Sequence, residues 1–313
     1  MGFDVEASGV YAIAATPFLA DGRLDEASVE RMTEFYLGCG VAGLTILGIM
    51  GEAPKLDLDE SLAVTDLVLR RAGRIPVVVG VSAPGFAAIR ALALGAMARG
   101  AAGVMIAPPA SLRTDDQIVA YYRQAVAAIG ADVPFVLQDH PLATGVVMAP
   151  SVIRRIVAEH AACVMVKHED WPGLEKLSEL RRFEREGTMR RVSILCGNGG
   201  LFLDFETARG ADGAMTGYAF PDMLVELVAL AREGRRAAVH DLFDAHLPLL
   251  RYEQQPGVGL AVRKYVLMTR GAIATDVQRP PAASLGPAAR AEIDYLLARL
   301  ARRDPRAAGL GTA

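Results

Sequence analysis

The segment VMVKHED, residues 164–170, carries the first residue able to do chemistry. Val164, Met165 and Val166 run directly into Lys167. Lysine is strongly hydrated and almost never fully buried without a partner, so an amine closing a buried strand is a candidate reactive group. Desolvation pushes amines toward the neutral form, and a neutral amine attacks a carbonyl carbon to form a Schiff base. The protonated imine is an electron sink, so C–C cleavage or loss of water beside it becomes feasible. The structural alternative is a lysine that ends a strand and extends to solvent.

Alternation of side chains along a strand supplies companions. If Lys167 faces an interior, Glu169 does too and His168 faces out. If Gln138 in PFVLQDH (134–140) faces inward, so does His140, and Asp139 does not. His140 and Glu169 are therefore candidate catalytic groups for proton transfer, and histidine titrates near neutral pH. Gln138 cannot titrate but could orient a water or a substrate hydroxyl. Asn198 could hydrogen-bond a hydroxyl, and Thr216 with Gly217 could let a substrate approach the backbone. For Asn198 the alternative is a turn residue; for His140 and Glu169 it is a satisfied supporting role.

The elements that must position these residues recur evenly. Short apolar runs lie at 10–18, 43–49, 76–82, 103–109, 134–140, 163–169, 192–198 and 213–218. Their continuous apolarity suits a covered parallel sheet. Between them lie amphipathic segments of helical length at 24–40, 56–73 and 114–130. These have acidic starts and glycine ends, with Thr114 as an expected N-cap. Trp171 is expected to begin a helix and pack. Eight strands alternating with helices predict an α/β fold, a (β/α)8 TIM barrel, over 1–222. Only helical patterns follow, predicting a C-terminal helical subdomain over 223–313 with a turn-rich linker, RPPAAS, at 279–284. In a barrel of this kind active sites sit at the C-terminal strand ends, where Lys167 falls. GNGG (197–200) comes too late for a dinucleotide fingerprint.

The chain has 313 residues, 52% of them hydrophobic, which is ample for a large core. Lys and Arg number 33 against 36 Asp and Glu, a net charge of −3. That balance excludes a basic nucleic-acid or membrane-surface binder. No apolar stretch is long enough for a transmembrane helix. The MGFDVEASG start reads as neither a signal peptide nor a myristoylation site. Cys39, Cys163 and Cys196 are scattered, without zinc spacing, as expected in a reducing cytoplasmic compartment. Glu52, Asp139, His140 and Glu169 form no tight metal motif, and imine chemistry needs none, so no cofactor is expected.

Several motifs together resemble one superfamily: TPF (16–18), a G-x-x-GE loop (Gly48, Gly51, Glu52), the sixth-strand Lys167 and the helical tail. The chain is similar over about residues 9–300 to the dihydrodipicolinate synthase / N-acetylneuraminate lyase superfamily of Schiff-base aldolases. The resemblance implies that Lys167 bonds the keto carbon of pyruvate or another 2-oxo acid. It also implies a homodimer or homotetramer. The loop Gly48, Ile49, Met50, Gly51 takes the place that holds the substrate carboxylate, but the family's two threonines are Ile49 and Met50 here. Gln138 stands for the family's tyrosine and Ala143 for its arginine, and PPAS (108–111) stands for a tyrosine pair. Dihydrodipicolinate synthesis is therefore not expected. A glutamine at 138, GAMTG…FPD (213–222) and GAIATDVQRP (271–280) are similar to the branch of 2-keto-3-deoxy-L-arabonate dehydratase.

The expected function is a Schiff-base lyase that dehydrates a 2-keto-3-deoxy sugar acid. One alternative is an aldolase that uses the same imine and releases pyruvate. The other, from a different class, is a barrel that binds a 2-oxo acid without turnover. The lost hydroxyls favour that last reading; the retained lysine and polar strand ends oppose it.

Overall fold

The computed structural model describes residues 3–171 and 173–311. Met1 and Gly2, the start that reads as no myristoylation site, lie outside them. The strands are β1 (Gly9–Ile13), β2 (Gly43–Ile46), β3 (Val77–Gly80), β4 (Gly103–Ile106), β5 (Phe135–Asp139), β6 (Cys163–His168), β7 (Ser193–Cys196) and β8 (Gly213–Thr216). They form one closed parallel barrel in sequence order, with β8 pairing back to β1. Each follows one of the eight apolar runs but stops short of its end. The reason is visible after β2, where Leu47 turns to φ +55° and the chain leaves the ladder to build the rim.

The helices are α1 (Glu26–Gly38), α2 (Leu58–Ala72), α3 (Phe86–Ala98), α4 (Asp115–Ile129), α5 (Pro141–Thr144), α6 (Pro150–Glu159), α7 (Leu174–Arg185), α8 (Leu203–Ala208), α9 (Pro221–Arg232), α10 (Arg236–Glu253), α11 (Gly259–Thr269) and α12 (Pro287–Leu300). Thr114 caps α4 in a capping box: its hydroxyl accepts from the Gln117 N–H at 3.3 Å, and the Gln117 side chain accepts from the Thr114 N–H at 3.2 Å. Asp57 and Glu60 do the same for α2. Trp171 does not begin a helix. It is 41% exposed, edge-on to Phe202 at 4.8 Å, and α7 starts only at Leu174.

Two packed layers hold the barrel. Inside, Tyr11, Ile13, Val78, Met105, Val136, Met165, Leu195 and Met215 fill the lumen, so it is a core and not a pore. Gly43 makes room for Tyr11, whose ring lies 2.4 Å from where a Cβ would stand. Outside, a continuous apolar layer joins the other strand faces to the helices. α9 lies on β1 and β8, and α10 packs on α9, α11 and α12, so the helices after β8 cover the barrel where it closes.

Candidate active site

At the C-terminal rim, β5 and β6 are in register with Gln138 opposite Lys167 and Asp139 opposite His168. Alternation then decides the faces. Lys167 and Glu169 are each 5% exposed, and Gln138 is 3% exposed. All three line one cavity with His140. Glu169 lies just past the end of β6, yet its N–H still donates to the Asp139 carbonyl at 2.8 Å, which keeps the strand direction. One carboxylate oxygen gathers the group. Glu169 Oε2 is 2.9 Å from Lys167 Nζ, accepts from Gln138 Nε2 at 2.8 Å, and stands 3.6 Å from His140 Nδ1.

Burial by itself would raise the Glu169 carboxyl. Lys167, His140 and the Gln138 amide outweigh it and hold the group below the usual carboxylate range. Burial pushes His140 the other way, below the usual imidazole value; Glu169 opposes this and Lys167 adds to it. A neutral imidazole thus sits beside a charged carboxylate–ammonium pair, and its Nδ1 has no hydrogen-bond partner among the described residues. This arrangement can accept protons at two places, one at the Glu169 carboxylate beside the Lys167 amine and one at the imidazole.

The outward residues do other work. Asp139 pairs with Lys176 of α7 at 2.8 Å, and Lys176 also bonds Asp170 at 2.7 Å. His168 Nε2 is 2.9 Å from the Gly173 carbonyl. These contacts fasten the ends of β5 and β6 to α7 from behind. Asn198, at φ +50°, donates through Nδ2 to the Glu169 carbonyl at 3.0 Å, and its N–H reaches Glu169 Oε1 at 3.4 Å. It lines the cavity and orients Glu169.

Gly48, Ile49 and Met50 line the opposite wall. Ile49–Gly51 form one 3-10 turn, and the N–H groups of Ile49 and Met50 find no acceptor among the described residues. Such paired free donors suit a carboxylate. Gly51 stands back from the cavity, its carbonyl accepting from Thr16 Oγ1 at 2.5 Å. Glu52, at φ +56°, anchors the loop. Its oxygens take Lys264 Nζ at 2.5 Å and Lys55 Nζ at 2.8 Å, and Lys264 also donates to the Thr16 and Val277 carbonyls, both at 2.7 Å. A left-handed conformation is costly for residues with a Cβ. Among the described residues other than glycine it occurs at Leu47, Glu52 and Asn198, all on the rim.

Thr216 and Gly217 line the third wall with Gln254 and Arg263, two residues that sequence reasoning missed. Nothing local marks Gln254. Arg263 and Lys264 did leave a signal: two adjacent cations interrupt the apolar run of α11, GLAVRKYVLMT, and both are buried. Next to this cavity, an apolar recess reaches past Gln138 to Ser82, Ala107, Pro108, Ala143 and Thr144. It offers no arginine for a second carboxylate. The cavity holds about 100 Å3 of enclosed space. No helix among the described residues is long and apolar enough to cross a membrane.

The comparisons with known proteins agree with the barrel fold. The profile of the dihydrodipicolinate synthetase family matches residues 6–300. L-2-keto-3-deoxyarabonate dehydratase of Azospirillum brasilense is 32% identical over 302 residues, 95% of this chain and 94% of that one. A probable 2-dehydro-3-deoxy-D-pentonate aldolase of Escherichia coli K12 is 27% identical, covering 83% of this chain and 90% of its own. The crystal structure of a dihydrodipicolinate synthase from Rhodopseudomonas palustris is 62% identical with a TM-score of 0.94, covering 96% of this chain and 99% of that one. With its (β/α)8 barrel and its match along nearly its whole length, this chain belongs to the dihydrodipicolinate synthetase family of aldolases and dehydratases.

Proposed function

We propose that the protein is a Schiff-base hydro-lyase acting on a 2-keto-3-deoxy sugar acid of the L-arabonate type. Lys167 is the nucleophile. Glu169 takes a proton from its ammonium, and the free amine adds to the C2 carbonyl. Loss of water gives the imine. The Ile49 and Met50 N–H groups receive the C1 carboxylate. His140 removes a proton from C3, the imine takes up the electron pair as an enamine, and Gln138 orients the C4 hydroxyl. That hydroxyl leaves as water, accepting the proton His140 now carries. Water then hydrolyses the imine and frees the product.

The observation that carries this reading is the 2.9 Å Lys167–Glu169 pair in a cavity whose only neighbouring titratable group at this wall is His140, among the described residues. Gln138 and Ala143 in place of the family's tyrosine and arginine speak against synthesis of a dicarboxylate, even though the Rhodopseudomonas structure carries the name of a synthase. The E. coli relative named as an aldolase supports a second reading, in which the same imine breaks the C3–C4 bond. Intact mass after borohydride reduction decides, with pyruvate and a panel of 2-keto-3-deoxy sugar acids, comparing wild type with Lys167→Ala. The expected result is an adduct that needs Lys167, water loss from the sugar acid and no pyruvate release. Released pyruvate selects the aldolase; no adduct with any ligand in a folded protein overturns both and leaves a binding protein. Three free thiols, two of them buried, support a cytoplasmic setting. The homodimer or homotetramer expected from the family is checked by light scattering.

A further inference from the structure

We propose that Arg263 is a substrate-binding residue that receives the carboxylate of the 2-oxo acid, in place of the hydroxyls missing from the Ile49–Met50 loop. The proposal rests on the Schiff-base reading and adds a residue to it. Arg263 projects from α11 and is 2% exposed. Its Nε donates to Glu253 Oε1 at 2.6 Å, and its Nη2 donates to the Gly217 carbonyl. Glu253 in turn accepts from the Ala219 N–H at 3.1 Å, so the guanidinium is locked in orientation from behind. Its remaining nitrogen, Nη1, is buried and has no acceptor among the described residues.

Arg263 lines the cavity beside Gly217. Met215 faces the barrel lumen, so Gly217, two positions on, presents its Cα to the same side. Arg263 Nη1 is 2.0 Å from where a Cβ on Gly217 would stand. The glycine is what admits the guanidinium to the inner face of β8, and any side chain there would expel it. Guanidinium stays charged at every working pH, and a buried donor left without an acceptor is costly, so the site is built for an anion that arrives later.

Charge placement selects the carboxylate. Glu169 repels an anion from the β5–β6 side of the cavity. Lys264 and Lys55 are both committed to Glu52. On the β8–β1–β2 side, the lining donors without a partner among the described residues include the Ile49 and Met50 N–H groups, the Thr216 hydroxyl, the Gln254 amide and Arg263 Nη1, and of these only the guanidinium carries a charge. A 2-oxo acid brings one obligate anion, adjacent to the carbon that Lys167 attacks. With that carboxylate turned toward β8 and β2, C2 points back at Lys167.

The test compares Arg263→Gln with wild type, reading the half-saturating concentration for borohydride trapping of pyruvate and of pyruvamide, the same ketone without the anion. A charge-assisted hydrogen bond corresponds to about tenfold or more in affinity. The variant should lose about that factor with pyruvate and less than about threefold with pyruvamide. Equal losses with both ketones, or no loss, overturn the proposal. A loss confined to a polyhydroxylated 2-keto-3-deoxy acid also overturns it and moves Arg263 to a hydroxyl. Because Arg263→Gln strands Glu253, the double variant Arg263→Gln/Glu253→Gln is run alongside, with thermal melts to confirm folding. If wild type traps neither ketone, the Schiff-base reading fails by itself. Calorimetric titration with lactate against lactamide then decides the carboxylate preference of Arg263 without any imine.

Discussion

Glu169→Gln tests the center of the proposed chemistry. The substitution keeps the size and shape of the side chain and removes one charge. In wild type, Oε2 faces two donors, Lys167 Nζ at 2.9 Å and Gln138 Nε2 at 2.8 Å. An amide oxygen in that position still accepts from both, so the fold of β6 is kept. It places an NH2 where Oε1 accepted from the Asn198 N–H at 3.4 Å, a weak contact whose loss is small. What disappears is the acceptor for the proton of Lys167. Positioned proton transfer contributes about 10²–10⁴ in rate. At about 1.36 kcal/mol per decade, the barrier to imine formation rises by about 3–5 kcal/mol. The assay is rapid-quench borohydride trapping with pyruvate, following the adduct mass against time, because equilibrium yield would hide a slow step. A Glu169→Gln variant that traps within about threefold of the wild-type rate would refute the assignment and leave Glu169 as a counter-charge only.

Two further perturbations separate the remaining roles. His140→Asn should leave trapping near wild type while slowing deuterium exchange into the methyl group of pyruvate by about 10²-fold or more; slowed trapping with unchanged exchange would reverse the roles of His140 and Glu169. Burial holds His140 below its usual value, so wild-type exchange should persist as pH falls through about 6.5 and fail only below it; a limb above 6.5 contradicts this. Glu206, buried against β7, is pushed up to about 7 by burial, with His168 and the Cys196 thiol opposing. Its folded value lies above the unfolded one near 4.5, so the native state binds the extra proton between those pH values and stability falls as pH rises through that window. The difference, 7 − 4.5 = 2.5, corresponds to about 3 kcal/mol. Glu206→Gln should therefore raise the melting temperature at pH 8 more than at pH 4.5, and an equal shift at both would rule this out.

How much of this was legible follows from where each contact originates. Lys167 and Gln138 come from two adjacent strands and Glu169 and His140 from the residues just past their ends, and the period of two assigns their faces without knowledge of anything distant. Asp139 and His168 fell on the outer face for the same reason. The barrel was legible because eight buried runs separated by capped helices leave few other closed solutions. The adjacent cations of α11 were legible as a pattern, but the places of Arg263 and Gln254 were not, because they depend on how α10 and α11 settle over the closure between β8 and β1. No local pattern encodes that angle. Gly217 was singled out as allowing backbone approach; what approaches it is a side chain from 46 residues away. The strand ends were overextended because a turn at Leu47 or Asn198 in left-handed backbone is held by the surrounding loops and not by its own residue type.

Arg263 and Lys264 are neighbours on one helix, yet one braces the end of β8 and the other pins the loop after β2. Successive helical residues point about 100° apart, so a single turn of α11 serves two walls that the barrel itself cannot link by short contacts. Lys167, Glu169 and Gln138, at the centre of the proposed reaction, hydrogen-bond to neither Arg263 nor Lys264 among the described residues. On the proposed reading, substitution in α11 alters which acid is admitted and leaves the Lys167–Glu169 pair in place.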